Sequence, residues 1–172
     1  MSDYVVALDP RFRRGLEGAP VGAGCFSFPA QSGTDPIPAR YDETTADAWD
    51  SGAHSVTQLD GDVRLAFSIN ESWGAACGLT PASTPPSIDV ARITHGFLVA
   101  RASGRLAVRV IESGVQVAGP FLVSFGDTVE VLRQAGAVVY RHAGATLYRS
   151  TVPSAGPVKV AASLYGKEDS IG

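Results

Sequence analysis

Between Val129 and Ser150 the chain reads Val129-Glu130-Val131-Leu132-Arg133, Ala135-Gly136, Val138-Val139-Tyr140-Arg141, Ala143-Gly144, then Thr146-Leu147-Tyr148-Arg149-Ser150. Short runs of β-branched and aromatic residues are divided by pairs of small residues. The runs are too short for helices, and the spacing predicts an antiparallel meander. A chain built this way is turned away from helix-borne active sites and nucleotide-binding α/β folds. It is turned toward a β-sandwich, a frame that usually presents a recognition surface.

Upstream segments carry the same signature. Asp62 to Ile69 alternates strictly, so Val63, Leu65, Phe67 and Ile69 share one face while Arg64 and Ser68 face outward. Trp73 to Leu79, Ile88 to Ile93 and Gly96 to Arg101 read as further strands. Leu106, Val108 and Val110 alternate with Ala107 and Arg109, and Ser113-Gly114 turns the chain into Val115 and Val117. Gly126-Asp127 opens the meander, and Val158 to Tyr165 forms a last apolar strand after the break from Pro153 to Pro157. Ten or eleven strand candidates therefore fall between residues 52 and 165, and the one stretch compatible with a helical turn is Thr44 to Ala48. Strands with one dry and one wet face pair two sheets over a common core. The expected class is all-β, an antiparallel two-sheet β-sandwich with an extended N-terminal arm.

The arm is residues 1–44 and the sandwich 45–172. Tyr4 to Leu8 can form a strand, residues 9 to 24 read as a loop, and Cys25 to Phe28 is a brief apolar patch. Pro29, Pro36 and Pro38 exclude a regular helix or a central strand, since each lacks a ladder donor. The arm is expected to fill an open sheet edge or dock a neighbouring subunit.

A chain of 172 residues buries enough surface to hold a core without disulfides. Its net charge of -3 gives no basis for binding nucleic acid, and Arg11, Arg13 and Arg14 read as a solvated loop face. Cys25 and Cys77 match no metal or redox spacing; buried free thiols are the favoured expectation and a disulfide the alternative. The start, Met1-Ser2-Asp3-Tyr4, has no basic region followed by an apolar one, and no run approaches the roughly 20 apolar residues of a membrane span. Neither a cleaved export signal nor membrane insertion is expected.

Taken together, residues 49 to 165 resemble the concanavalin A-like lectin/glucanase jelly rolls of phage tail and tail-fibre proteins. Trp49 with Gly52-Ala53-His54-Ser55 is similar to their opening phrase, and Asp60-Gly61-Asp62-Val63 with Phe67 to their first core strand. Gly96-Phe97-Leu98 and Glu112-Ser113-Gly114 match a mid-domain strand and a strand-ending turn. The strongest part is Phe125-Gly126-Asp127-Thr128-Val129 to Tyr140, then Gly144 and Leu147-Tyr148-Arg149-Ser150, with Ala161-Ala162-Ser163-Leu164-Tyr165 in the closing position. Where those domains usually carry asparagine before the glycine, this chain has Ala143, so its turn relies on Gly144 and is expected to be looser.

The resemblance implies a virion component of the tail, with attachment to a host-surface glycan or docking to other tail subunits as its task, and a homo-oligomer as its form. The alternatives are a structural adaptor or decoration protein that touches no receptor, and a polysaccharide-degrading enzyme of the same fold. Glucanases of this fold need carboxylates clustered on one strand. Glu17, Glu43, Glu71, Glu112, Glu130 and Glu168 form no such cluster, and Glu130 reads as a solvated outer-face charge. No catalytic residue or cofactor is therefore expected. His54, His95 and His142 stand apart and read as structural or surface residues. Asp60 and Asp62 could contribute to a calcium loop, but a turn accounts for them equally well, as Asn70-Glu71 offers little more. No metal is assigned. Trp73 and Tyr165 are the candidate ligand-binding residues, as rings that could stack on a sugar face.

Overall fold

The computed structural model describes residues 2–5, 34–37, 49, 51–55, 58–69, 74–85 and 87–165. Two sheets stack face to face. One holds five strands in the order β1 (Ser2–Val5), β4 (Val63–Ser68), β9 (Thr128–Gln134), β10 (Ala137–His142) and β11 (Ala145–Arg149). The other holds seven: β2 (Thr34–Ile37), β3 (Ser51–Ser55), β12 (Val158–Leu164), β5 (Gly74–Pro81), β6 (His95–Ala102), β7 (Arg105–Glu112) and β8 (Val115–Leu122). Ladders are antiparallel throughout except where β1 lies parallel to β4. The expected β-sandwich is present, and the meander is β9–β10–β11.

Backbone from the arm lies on both sheets. Tyr4 and Val5 pair with Leu65 and Ala66 on the edge of the five-stranded sheet. Thr34–Ile37 pairs with β3 on the other, where it is the outermost of the described strands, a position that tolerates Pro36. The expected helical turn at Thr44 to Ala48, the boundary at 44/45, Cys25 and the cluster Arg11, Arg13 and Arg14 lie outside the described residues.

The core follows the period-two pattern. Val63, Leu65 and Phe67 of β4 meet Phe97 and Val99 of β6, Val108 and Val110 of β7, and Val129 and Val131 of β9. Burying each large apolar side chain contributes about 1.5–3 kcal/mol. Through the middle runs a series of rings: Phe67 to Phe97 at 6.2 Å, Phe97 to Tyr140 at 5.4 Å, and Tyr140 to Tyr148 at 5.9 Å between centroids. Cys77 is a free thiol in this interior, and burial pushes its pKa up to about 12, so it is inert as a nucleophile.

The hairpins share one turn chemistry. Ser103-Gly104, Ser113-Gly114, Ala135-Gly136 and Ala143-Gly144 all have positive φ at both residues, the type I′ geometry whose twist matches the strands. Ala143 itself sits at φ +47°, so the turn does not rely on Gly144 alone.

One expected strand is absent. Ile88 to Ile93 is a strap carrying a single turn of 3-10 helix, Val90–Arg92. The Asp89 carboxylate accepts from the Ala91 N–H at 2.9 Å, and Ser87 Oγ accepts from the Asp89 N–H at 3.1 Å. These local bonds outcompete a ladder. The strap is tied to the seven-stranded sheet from below: the Ser163 hydroxyl donates to Ile88 O at 2.6 Å and Thr80 to Arg92 O at 2.7 Å. Ile93 joins Ala76, Ile111 and Ala161 in a second apolar cluster, so this sheet is partly dry on its outer face too.

The edge strand β8 exposes Val115, Val117 and Leu122, yet its ladder is blunted. Pro120 has no N–H to offer, Gln116 Nε2 occupies the Gly119 carbonyl at 3.0 Å, and the pairing with β7 shifts register twice.

Candidate functional site

At one end of the seven-stranded sheet, where β5 and β7 finish and β6, β8 and β12 begin, that sheet and the loop 152–155 line a cleft of roughly 360 Å³. Its polar lining comes from Thr94, His95, Glu112, Ser113 and Ser154. Pro81, Val117, Val152, Pro153 and Val158 make it apolar elsewhere.

The strand pattern delivers the polar groups. On β7 the inward positions run Val108, Val110, Glu112, so the same alternation that buries two valines turns a carboxylate inward, leaving it 8% exposed. On β6, His95 is in phase with Phe97 and Val99 and is also buried. From the opposite sheet the Tyr140 hydroxyl reaches Glu112 Oε1 at 3.4 Å. Burial, reinforced by the neighbouring Glu112 charge, raises the Tyr140 pKa, so the phenol stays protonated and donates. His95 Nε2 donates to Val152 O at 3.1 Å, and Nδ1 faces Thr94 Oγ1 at 3.3 Å, which pins the loop carrying Val152 to the rim.

Behind the loop lies a buried cation. Arg133, 2% exposed, donates from Nε to Gly61 O at 2.8 Å and from Nη1 to Gly156 O at 2.7 Å. Nη1 also lies 3.5 Å from the hydroxyl of Ser154, while Nη2 has no partner among the described residues. One side chain therefore stitches two loops and backs the wall of the cleft.

Of the two residues expected to bind ligand, Tyr165 is described, and it lies away from the cleft. Tyr165 follows the far end of β12, the full strand away from cleft-lining Val158. Its ring, half-buried, packs on Trp49 at 5.5 Å between centroids, and its N–H donates to Gly74 O at 2.8 Å. Trp73 and Asn70-Glu71 lie outside the described residues.

Other charges have local partners. Glu130 is not a free solvated charge: it accepts from Arg64, which lies diagonally across the β4–β9 ladder, and its side chain is 12% exposed. His142, which stands alone in the sequence, meets Asp127 at 2.8 Å; hydrogen bonds from the Ser124 N–H and then from His142 hold that carboxyl below its usual range. Asp60 and Asp62 serve turns, accepting from the N–H groups of Gly61 and Ala135 at 2.8 Å each. Among the described residues no group of three or more His, Cys, Asp or Glu is placed to hold a metal.

Sequence reasoning passed over Glu112 and His95 because it sought carboxylate clusters and histidine pairs. The usable signal was phase: Glu112 continues the inward series Val108, Val110 and breaks it with a charge.

No family model matches the sequence, and no curated protein matches it either. Among solved structures, the TRIM65 PSpry domain is similar with a TM-score of 0.52 at 10% identity, over 74% of this chain and 72% of that one. The fold is a concanavalin A-like jelly roll. Stonustoxin is similar at a TM-score of 0.51 and 13% identity, over 72% of this chain and 21% of that one. A toad ovary galectin solved with thio-digalactose is similar at 0.42 and 16% identity, covering 74% of this chain and 98% of that one. At these identities the likeness concerns the jelly roll alone, and the cleft is read from its own side chains.

Proposed function

We propose that this jelly roll is a non-enzymatic attachment module of a phage tail, in which the cleft at one end of the sandwich grips a host-surface glycan. The observation that carries the reading is the cleft itself. A buried carboxylate and a buried imidazole, Glu112 and His95, stand among apolar walls with three hydroxyl-bearing residues at hand. Convergent acceptors and donors on a mainly apolar concave surface suit a sugar, whose hydroxyls need partners and whose C–H faces need contact.

Support for a binding rather than a cleaving role comes from the carboxylate count. Glycoside hydrolysis ordinarily needs two carboxyl groups flanking the bond, and Glu112 is the single carboxylate among the described residues that line the cleft. The placement on a tail, with other tail subunits as neighbours, rests on the sequence resemblance of residues 49 to 165. Repetition of the module in a homo-oligomer raises avidity where a single site is weak.

A glycan array probed with the full chain tests the reading. Signal on a defined class of glycan is expected. A blank array returns the protein to the role of adaptor or decoration subunit, and release of reducing ends from a bound polysaccharide replaces attachment with catalysis. Antibody labelling of intact particles checks the placement, with label at the tail expected.

A further inference from the structure

The geometry points to a charge rule for this cleft: it accepts glycans whose docked residue is uncharged or carries an amino group, and it rejects residues bearing a carboxylate. This rests on the attachment reading above and adds the class of ligand. Glu112 supplies the rule. Its carboxylate is 8% exposed, and one of its oxygens is held by the Tyr140 hydroxyl at 3.4 Å, so it can do little to turn away from an incoming anion. Val117, Val152 and Val158 lower the local polarizability around it. Two negative charges brought together in such surroundings repel far more strongly than they would in water.

Among the described residues that line the cleft, His95 is the one basic side chain, and no Lys or Arg is among them. Arg133 is directed at the carbonyls of Gly61 and Gly156 and does not line the cavity; it touches it through Ser154. His95 has Val152 O and Thr94 Oγ1 against its two ring nitrogens. A hydroxyl or ammonium group can donate to Glu112, whereas a uronic or sialic acid carboxylate cannot.

The test is an array carrying matched neutral, amino-bearing and carboxylate-bearing glycans, probed with the full chain and with Glu112→Gln. Glutamine keeps an acceptor for Tyr140 and removes the charge. On the wild-type chain, carboxylate-bearing members are expected to bind about ten-fold or more weakly than their neutral counterparts. In Glu112→Gln the ratio of neutral to carboxylate-bearing binding, read within the variant, is expected to fall toward one, whatever the loss in neutral binding itself. Val117→Lys, at a position 38% exposed on the rim, adds a cation without disturbing the interior and is expected to narrow the same gap. Equal or stronger binding of carboxylate-bearing glycans by the wild type overturns the charge rule and leaves glycan attachment standing. So does a gap that neither variant moves. A blank array removes both.

Discussion

The Tyr140 hydroxyl and the Glu112 carboxylate meet at 3.4 Å across the interior, joining β10 of one sheet to β7 of the other at the floor of the cleft. A hydrogen bond to a buried charge is stronger than one between neutral groups, and losing it leaves Glu112 short of a donor. Tyr140→Phe is expected to destabilise the fold by about 1–2 kcal/mol, the long distance placing it at the low end for a charged acceptor. Urea unfolding followed by tryptophan fluorescence gives the number. An unchanged midpoint means the contact carries no net stability.

Turn chemistry offers a gain. Ala143 holds φ +47°, a conformation that costs an alanine about 1 kcal/mol and an asparagine less. Ala143→Asn is expected to raise stability by about 0.5–1 kcal/mol, or about 2 °C in Tm for a chain of this size. Differential scanning calorimetry reads it directly, and a fall in Tm contradicts the assignment of the turn.

Glycines at positions 78 and 104 make opposite predictions. A Cβ at Gly78 would lie 2.3 Å from His95 O and 2.7 Å from Ile93 Cγ2, while Gly104 has open space and a φ of +77°. Gly78→Ala must push sheet backbone apart and is expected to cost about 3 kcal/mol. Gly104→Ala pays only for its backbone conformation, about 1–2 kcal/mol. Chemical denaturation of the two variants side by side settles the order; equal losses refute the close packing of β5 on β6.

Acid sensitivity is expected from His54. Burial, the largest influence, lowers its pKa below the ordinary value of 6.5, and its Nδ1 has no partner among the described residues while Nε2 lies 3.2 Å from Ser87 O. The unfolded chain therefore holds more protons than the folded one between the lowered value and 6.5, so stability rises with pH there. The contribution is fully present above 6.5 and is lost as pH falls through the folded value. A Tm series from neutral to mildly acidic pH is expected to fall for the wild type and to flatten for His54→Gln. Parallel curves would assign the acid sensitivity to other groups.

Elements governed by local periodicity were legible in the sequence. Val63 to Ile69 announces its inward face by alternation, the runs from Val129 to Arg149 announce strands by their β-branched and aromatic composition, and each Gly in the hairpin turns marks a reversal. Ile88 to Ile93 misled, because a β-branched composition was overridden by the Asp89 and Ser87 side chains bonding their own backbone. The cleft was illegible for a different reason. His95 and Glu112 come together through the β6–β7 register, and Tyr140 reaches Glu112 only once two sheets have stacked, contacts that no short window of sequence contains.

The obstructed hydrogen-bonding rim of β8 bears on crowding. Wherever many copies stand shoulder to shoulder, bare strand margins invite neighbours to zip into fibres. With Pro120 lacking a donor and Gln116 capping a carbonyl, this flank can be packed densely while each molecule keeps its own shape and its own open mouth.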